Sequence, residues 1–168
     1  MPDLIQIGLQ NEILRTKSEN IVKFNNSLKK IEKKMLKCLK KNKGLGLAAP
    51  QIGLNLRMII VNLDKTNSKL IMCNPNIIFK SENIFSYQEG CLSLPGVWGN
   101  VNRSASVVVE FQDTNGQKNK IKLEDMNARI VQHEIDHLNG VLFLDKVEGE
   151  IVVDENVDYQ KLQLKEEL

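Results

Sequence analysis

The alternation of apolar and polar positions divides the chain into two helical stretches with a strand-rich middle. From 25 to 43, Leu28, Ile31, Met35 and Leu39 recur at spacings of three and four while lysines fill the other face, which predicts an amphipathic helix. Asn25, Asn26 and Ser27 offer N-caps, and Gly44 stands where that helix should stop. The pattern then changes. Residues 57–63 and 69–73 are short aliphatic runs that predict strands, with Asn74-Pro75-Asn76 as an interruption before 77–79. Residues 104–112 form the strongest strand pattern, Asp113 to Gly116 a turn, and 118–123 the return strand. A second helix is expected over 124–139, with Met126, Ile130, Val131 and Leu138 as apolar positions and Gly140 as its stop. Strands between two main helices predict an α+β fold with antiparallel sheets.

Length changes this picture little, because 168 residues predict a single domain. The chain is 42% hydrophobic and 26% charged, which excludes collagen-like, coiled-coil and wholly disordered classes. An aromatic share of 5% argues against a base-stacking surface. No apolar run approaches the ~20 residues of a membrane span. The first residues, MPDLIQIG, carry neither a basic start nor an apolar stretch of secretory length, so an intracellular, cytoplasmic setting is expected. Cys38, Cys73 and Cys91 agree, being odd in number and without a CxxC pair. Cys38 and Cys73 fall on apolar faces of predicted elements and read as core residues.

Net charge is +2, but it is unevenly spread: +7 over 1–43, zero over 44–147 and −5 over 148–168. A solvated helix face and an acidic tail account for this, with weak attraction to an anionic surface such as RNA as the alternative.

The candidate chemistry sits on the second helix. The chain has two histidines, His133 and His137, one helical turn apart, with Glu134 after the first. This is the HExxH arrangement, in which two imidazoles hold one metal ion and the glutamate acts as general base. Chance placement of two histidines and a glutamate in this way has a frequency of roughly one in a thousand, to be set against the false-positive risk that any short motif carries. Such a site needs a third protein ligand and an open position. Glu148, Glu150 and Glu155 lie downstream in the acidic tail. Upstream, Cys91 lies in EGCLSLPG, where Gly90, Pro95 and Gly96 mark a tight loop. A third segment, GLGLAAPQIG at 44–53, is rich in small residues that permit close backbone approach. It lacks the lysine and hydroxyl of a phosphate loop, and its Gln51 is a neutral amide donor suited to an oxyanion.

GLGLAAPQ at 44–51, EGCLS at 89–93 and QHEIDH at 132–137, in that order and at similar separations, resemble the three signatures of peptide deformylases in their compact bacterial-type form. The resemblance runs from about residue 1 to 147, which reads as one catalytic domain, with 148–168 as an acidic C-terminal tail of at most partial order. It implies a small α+β fold with antiparallel β-sheets around a metal-binding helix. It also implies hydrolysis of the N-formyl group from formyl-methionyl nascent polypeptides, releasing formate. Cys91, His133 and His137 would bind one divalent ion, usually Fe2+, with Zn2+, Ni2+ or Co2+ able to occupy the site. Glu134 would be general base and acid, and Gln51 and the N–H of Leu92 would hold the oxyanion. Leu45, Gly46 and Gly90 would take the substrate backbone by strand addition. Met126 and Ile130 would line the methionine pocket, and Glu89 would pair with Arg103 in support. Asp136 would orient a ligand or face solvent. Nascent polypeptides are the implied partner of a monomer that binds neither DNA nor membrane. Family members commonly end in a basic helix that docks on the ribosome, and the acidic 148–168 departs from that. The cytoplasm in question would be the host's if the chain is phage-encoded. Two other readings use the same residues: a metallopeptidase cutting ordinary amides, and a translation-associated binding module with a structural metal.

Overall fold

A computed structural model describes residues 5–165. A single-turn helix, α1 (Glu12–Arg15), precedes the long helix α2 (Asn26–Asn42). The Asn25 side chain accepts from the N–H groups of Ser27 and Leu28, which would otherwise lack partners at a helix start. Lys43, not Gly44, takes the left-handed turn that ends α2 (φ 52°), and its N–H bonds back to Leu39 and Lys40.

The strands are β1 (Gly46–Ala48), β2 (Met58–Asn62), β3 (Lys69–Lys80), β4 (Ile84–Cys91), β5 (Leu94–Ser104), β6 (Ser106–Gln112), β7 (Lys118–Glu124) and β8 (Val147–Val153). Two further helices are α3 (Asp125–Leu138) and the short α4 (Tyr159–Leu162). Five strands form one sheet in the order β1-β2-β3-β6-β7, three form another in the order β4-β5-β8, and these neighbouring strands pair antiparallel. The architecture is α+β, as the pattern predicts.

The unbroken apolar run of β2 follows from its position. Ile59 and Val61 face a core shared with α3, whereas Met58 and Ile60 face a core shared with α2. A strand covered on both faces cannot afford polar residues on either. Cys73 and Cys38 lie in the α2 core. A third core joins the smaller sheet to α1, Phe143, Leu162 and Leu164. Burying one Leu, Ile or Phe side chain stabilises by about 1.5–3 kcal/mol, so α3 is held through Ile130, Val131, Ile135 and Leu138. Among the described residues no helix is long and apolar enough to cross a membrane.

Asn74-Pro75-Asn76 interrupts the pairing as expected: it is an irregularity inside β3, with Asn74 at φ 51° and its side chain bonded to Ile21 and Gln112. Two further expectations need correction. Residues 104–112 are not one strand. The chain changes sheets at Ala105, whose N–H goes to Asn83 and whose carbonyl takes Asp125 N–H. The loop expected around Cys91 is the end of β4, joined to β5 through Leu92 and Ser93 alone. From 148 onward, the acidic stretch contributes most of β8, which pairs with β5, and places Leu162 and Leu164 in the third core.

Candidate metal centre and cleft

The two sheets meet α3 at a cleft of about 690 Å3. Its floor is α3 and its sides are β1 with the 310 turn Ala49–Ile52, and the end of β4. β1 and β4 are each the outermost strand of their own sheet, so two unpaired edges border one cleft.

His133 and His137 project from α3 toward Cys91 at the end of β4, and the ligand atoms of the three lie within 4.8 Å of one another. Cys91 Sγ is 3.3 Å from His137 Nε2. A sulfur and a nitrogen on one tetrahedral ion stand roughly 3.5 Å apart at ordinary Zn–S and Zn–N bond lengths. His133 Nδ1 is 2.7 Å from Glu89 Oε1, an arrangement that fixes the ring and leaves Nε2 for a ligand. His137 Nδ1 is buried without a hydrogen-bond partner among the described residues. One soft sulfur donor, two imidazoles and a carboxylate behind one ring therefore fit a divalent transition-metal ion. Burial holds His137 well below the usual histidine pKa. Burial also works against a charged His133, but Cys91 and Glu89 override it and keep that ring's pKa well above the ordinary value. Metal binding would displace that proton.

Glu134 faces the cleft and is 4% exposed. Burial pushes its pKa up to about 7, against the opposing charges of His133 and Arg103. Its Oε2 is buried without a hydrogen-bond partner among the described residues. Space for Glu134 depends on Gly46, where an added Cβ would lie 2.4 Å from Oε1 and 2.7 Å from Cγ. Gln51 is held from the opposite side. Its Oε1 accepts from Ala48 N–H at 2.9 Å, which aims Nε2 at Ser93 Oγ (3.1 Å) and Cys91 Sγ (3.5 Å).

Behind the histidines lies a buried ion network. Glu89 Oε2 accepts from Arg103 Nε at 2.6 Å and Arg129 Nη1 at 2.5 Å, and Oε1 from Arg103 Nη2 at 2.9 Å. Burial favours the neutral acid, but the hydrogen bonds with His133 and Arg103 overcome it and hold Glu89 well below the ordinary carboxylate range. Asp136 accepts from Arg103 at 2.8 Å and Lys146 at 2.9 Å, so it touches the ligands through Arg103 and Glu89.

Arg129 was absent from the sequence reading. It is 2% exposed, donates to the carbonyls of Val101 and Phe85, and stacks on the Phe85 ring at 4.5 Å. The available signal was its position four residues before His133, a basic residue on a stripe that faces inward. Ser93 was also missed as a partner of Gln51. Met126, Ile130, Leu92 and Gly90 all line the cleft. Leu45 lines its rim, but its carbonyl accepts from Asn62 N–H at 2.8 Å. In a pleated strand the backbone groups of successive residues point to opposite sides, so the free edge of β1 is presented by Gly46 and not by the Leu45 carbonyl.

This fold and site define a metal-dependent hydrolase. Known proteins narrow the class. Residues 5–151 match the model of the polypeptide deformylase family. The chain is 42% identical over 152 residues to a peptide deformylase of Prochlorococcus marinus, covering 89% of this chain and 75% of that one. It is 43% identical over 141 residues to that of Borreliella burgdorferi, covering 84% and 86%. Among solved structures, the peptide deformylase of Synechococcus elongatus in complex with actinonin superposes with a TM-score of 0.83 at 37% identity, covering 89% of this chain and 83% of that one. The Thermotoga maritima enzyme gives 0.82 at 34%, covering 86% and 97%. The chain belongs to the polypeptide deformylase family, whose members remove the N-formyl group from nascent polypeptides by metal-dependent hydrolysis.

Proposed function

We propose that Cys91, His133 and His137 hold one divalent ion, Fe2+ in the cell, and that the cleft around them deformylates formyl-methionyl polypeptides. The observation that carries the reading is the convergence of these donor atoms beside a buried, partner-free Glu134 oxygen. When bound, the ion acts as a Lewis acid and lowers the pKa of water toward neutrality.

The residues divide the remaining work. Glu134 takes the proton of the attacking water and returns it to the leaving amine, a role suited to a carboxylate whose pKa burial raises. Gln51 Nε2 and the N–H of Leu92 donate to the oxygen that gains charge. Ala48 holds the Gln51 amide plane, and Nε2 would exchange its long contact with Cys91 Sγ for that oxygen while keeping Ser93 Oγ. Gly46 and Gly90, on the two sheet edges, receive an extended substrate. Met126 and Ile130 take the methionine side chain, and Glu89 with Arg103 keeps His133 in place. A formyl carbon bears only hydrogen, so a site this confined admits it and rejects an acetyl methyl. Residues 148–168 carry −5, a charge that weighs against docking on a ribosome by that segment.

The test is formate release from a formyl-methionyl peptide by protein prepared without oxygen, with metal content measured on the same sample. Formate in proportion to iron, and a fall of about 100–1,000-fold in kcat for Gln51→Leu at unchanged metal content, supports the reading. Full activity in Gln51→Leu contradicts the assignment of Gln51, and tight retention of zinc in cells contradicts iron.

A further inference from the structure

Trp98 is the only tryptophan of an aromatic-poor chain, and it stands 41% exposed on β5 within the same cleft. Its cross-strand neighbours are Gly90 on β4 and Val152 on β8. A Cβ built on Gly90 would fall 2.3 Å from the indole Cζ3 and 2.5 Å from Cε3, so the ring lies across the Gly90 backbone. Cross-strand partners share one face of a sheet. Trp98 and Gly90 therefore share the outer face, while the alternate positions Val97, Val101 and Arg103 are buried on the inner one, toward α3.

We infer that Trp98 is a specificity-determining residue, selecting an apolar or aromatic side chain at the second position of the substrate, directly after the formyl-methionine. The inference rests on the site reading above. A strand added at the Gly90 edge sends successive side chains to opposite faces. If the methionine points inward to Met126 and Ile130, the next residue points outward, onto the face where the indole covers Gly90. An aromatic pair of this kind is worth about 3–10-fold in affinity.

The experiment compares kcat/KM for formyl-Met-Phe-Ser, formyl-Met-Gly-Ser and formyl-Met-Gly-Phe peptides on the metal-loaded wild type, Trp98→Ala and Trp98→Phe. The wild type is expected to prefer Phe over Gly at position two by about 3–10-fold. Trp98→Ala should lose that ratio and Trp98→Phe should keep most of it, with the change carried by KM. The formyl-Met-Gly-Phe peptide should show no comparable preference. The same ratio in Trp98→Ala and wild type, an equal loss on all peptides, or a preference that follows position three overturns the inference. A readout independent of turnover uses the single indole. In metal-loaded Glu134→Gln, titration with formyl-Met-Phe-Ser should shift the tryptophan emission to shorter wavelength, and formyl-Met-Gly-Ser should not. Equal or absent shifts at saturation overturn it as well. Formate release that ignores Trp98 counts against this inference alone. No release from any peptide counts against the site reading, and the emission titration still decides the contact.

Discussion

Replacing Glu89 by Gln probes the support of the site with little change of shape. The carboxylate accepts four hydrogen bonds: two from Arg103, one from Arg129 and one from His133. An amide cannot reproduce this in either orientation. With its NH2 at the Oε1 position it confronts Arg103 Nη2 and His133 Nδ1, and at the Oε2 position it confronts Arg103 Nε and Arg129 Nη1. The change also leaves two guanidiniums, 4% and 2% exposed, with Asp136 as the remaining carboxylate of the network. Removing one partner of a buried ion pair costs about 3–5 kcal/mol. At 2–4 °C per kcal/mol for a chain of this length, the melting temperature should fall by about 6–20 °C. The measurement is thermal unfolding in excess chelator, so that lost metal does not contribute. A parallel titration should show metal affinity weakened by about 10–100-fold, as expected when a ligating histidine loses the group that orients it. A chelated Glu89→Gln protein that melts within 2 °C of wild type would refute the claim that this carboxylate organises the buried cations.

Three further outcomes follow from the geometry. Gly46→Ala places a methyl 2.4 Å from Glu134 Oε1, so formate release should fall by more than about 100-fold with the fold and metal content retained; near-normal turnover would mean that Glu134 can move aside freely. Asp145→Asn should cost at most about 1 kcal/mol near neutrality, because the Arg15–Asp145 pair is partly solvated. Burial alone would raise the pKa of Asp145, but Arg15 lowers it overall. The cost is therefore complete above the unfolded value near 4 and disappears as pH falls through the lower folded value; a difference that grows toward acid in denaturant melts contradicts this sign. Iron-loaded protein should lose activity in air faster than nickel-loaded protein, since a thiolate ligand and a redox-active ion share the site, and equal decay rates would remove the argument.

The sequence exposes the parts of this fold whose residues do one job. The MIIV run of β2 and the 3–4 spacing of α2 are legible because burial alone selects them. The smaller sheet is not. β5 alternates strictly in burial over much of its length, yet its letters are LPGVWGNVNRS, because Gly99 leaves room for Val147 and the buried Arg103 is an ion-pair partner. Propensity reads those glycines and polar residues as loop. The same holds for β8, whose acidic outer positions mask an inner set of Val147, Ile151 and Val153. At the site, His133, Glu134 and His137 stand out by helical spacing. Arg129 needed the tertiary structure, because its partners lie 28 to 44 residues away in sequence. The change of sheets at Ala105 is likewise invisible locally, since both flanking segments are good strand formers.

The central claim is that the buried Glu134 moves the proton in a deformylation carried out beside Cys91, His133 and His137. It is tested most directly by formate release from a formyl-methionyl peptide by wild type and Glu134→Gln, prepared side by side without oxygen and matched for bound metal. The account predicts one metal ion per chain in both, release by the wild type, and a loss of at least about 100-fold in the variant. Comparable release by the two proteins at equal metal content would contradict it.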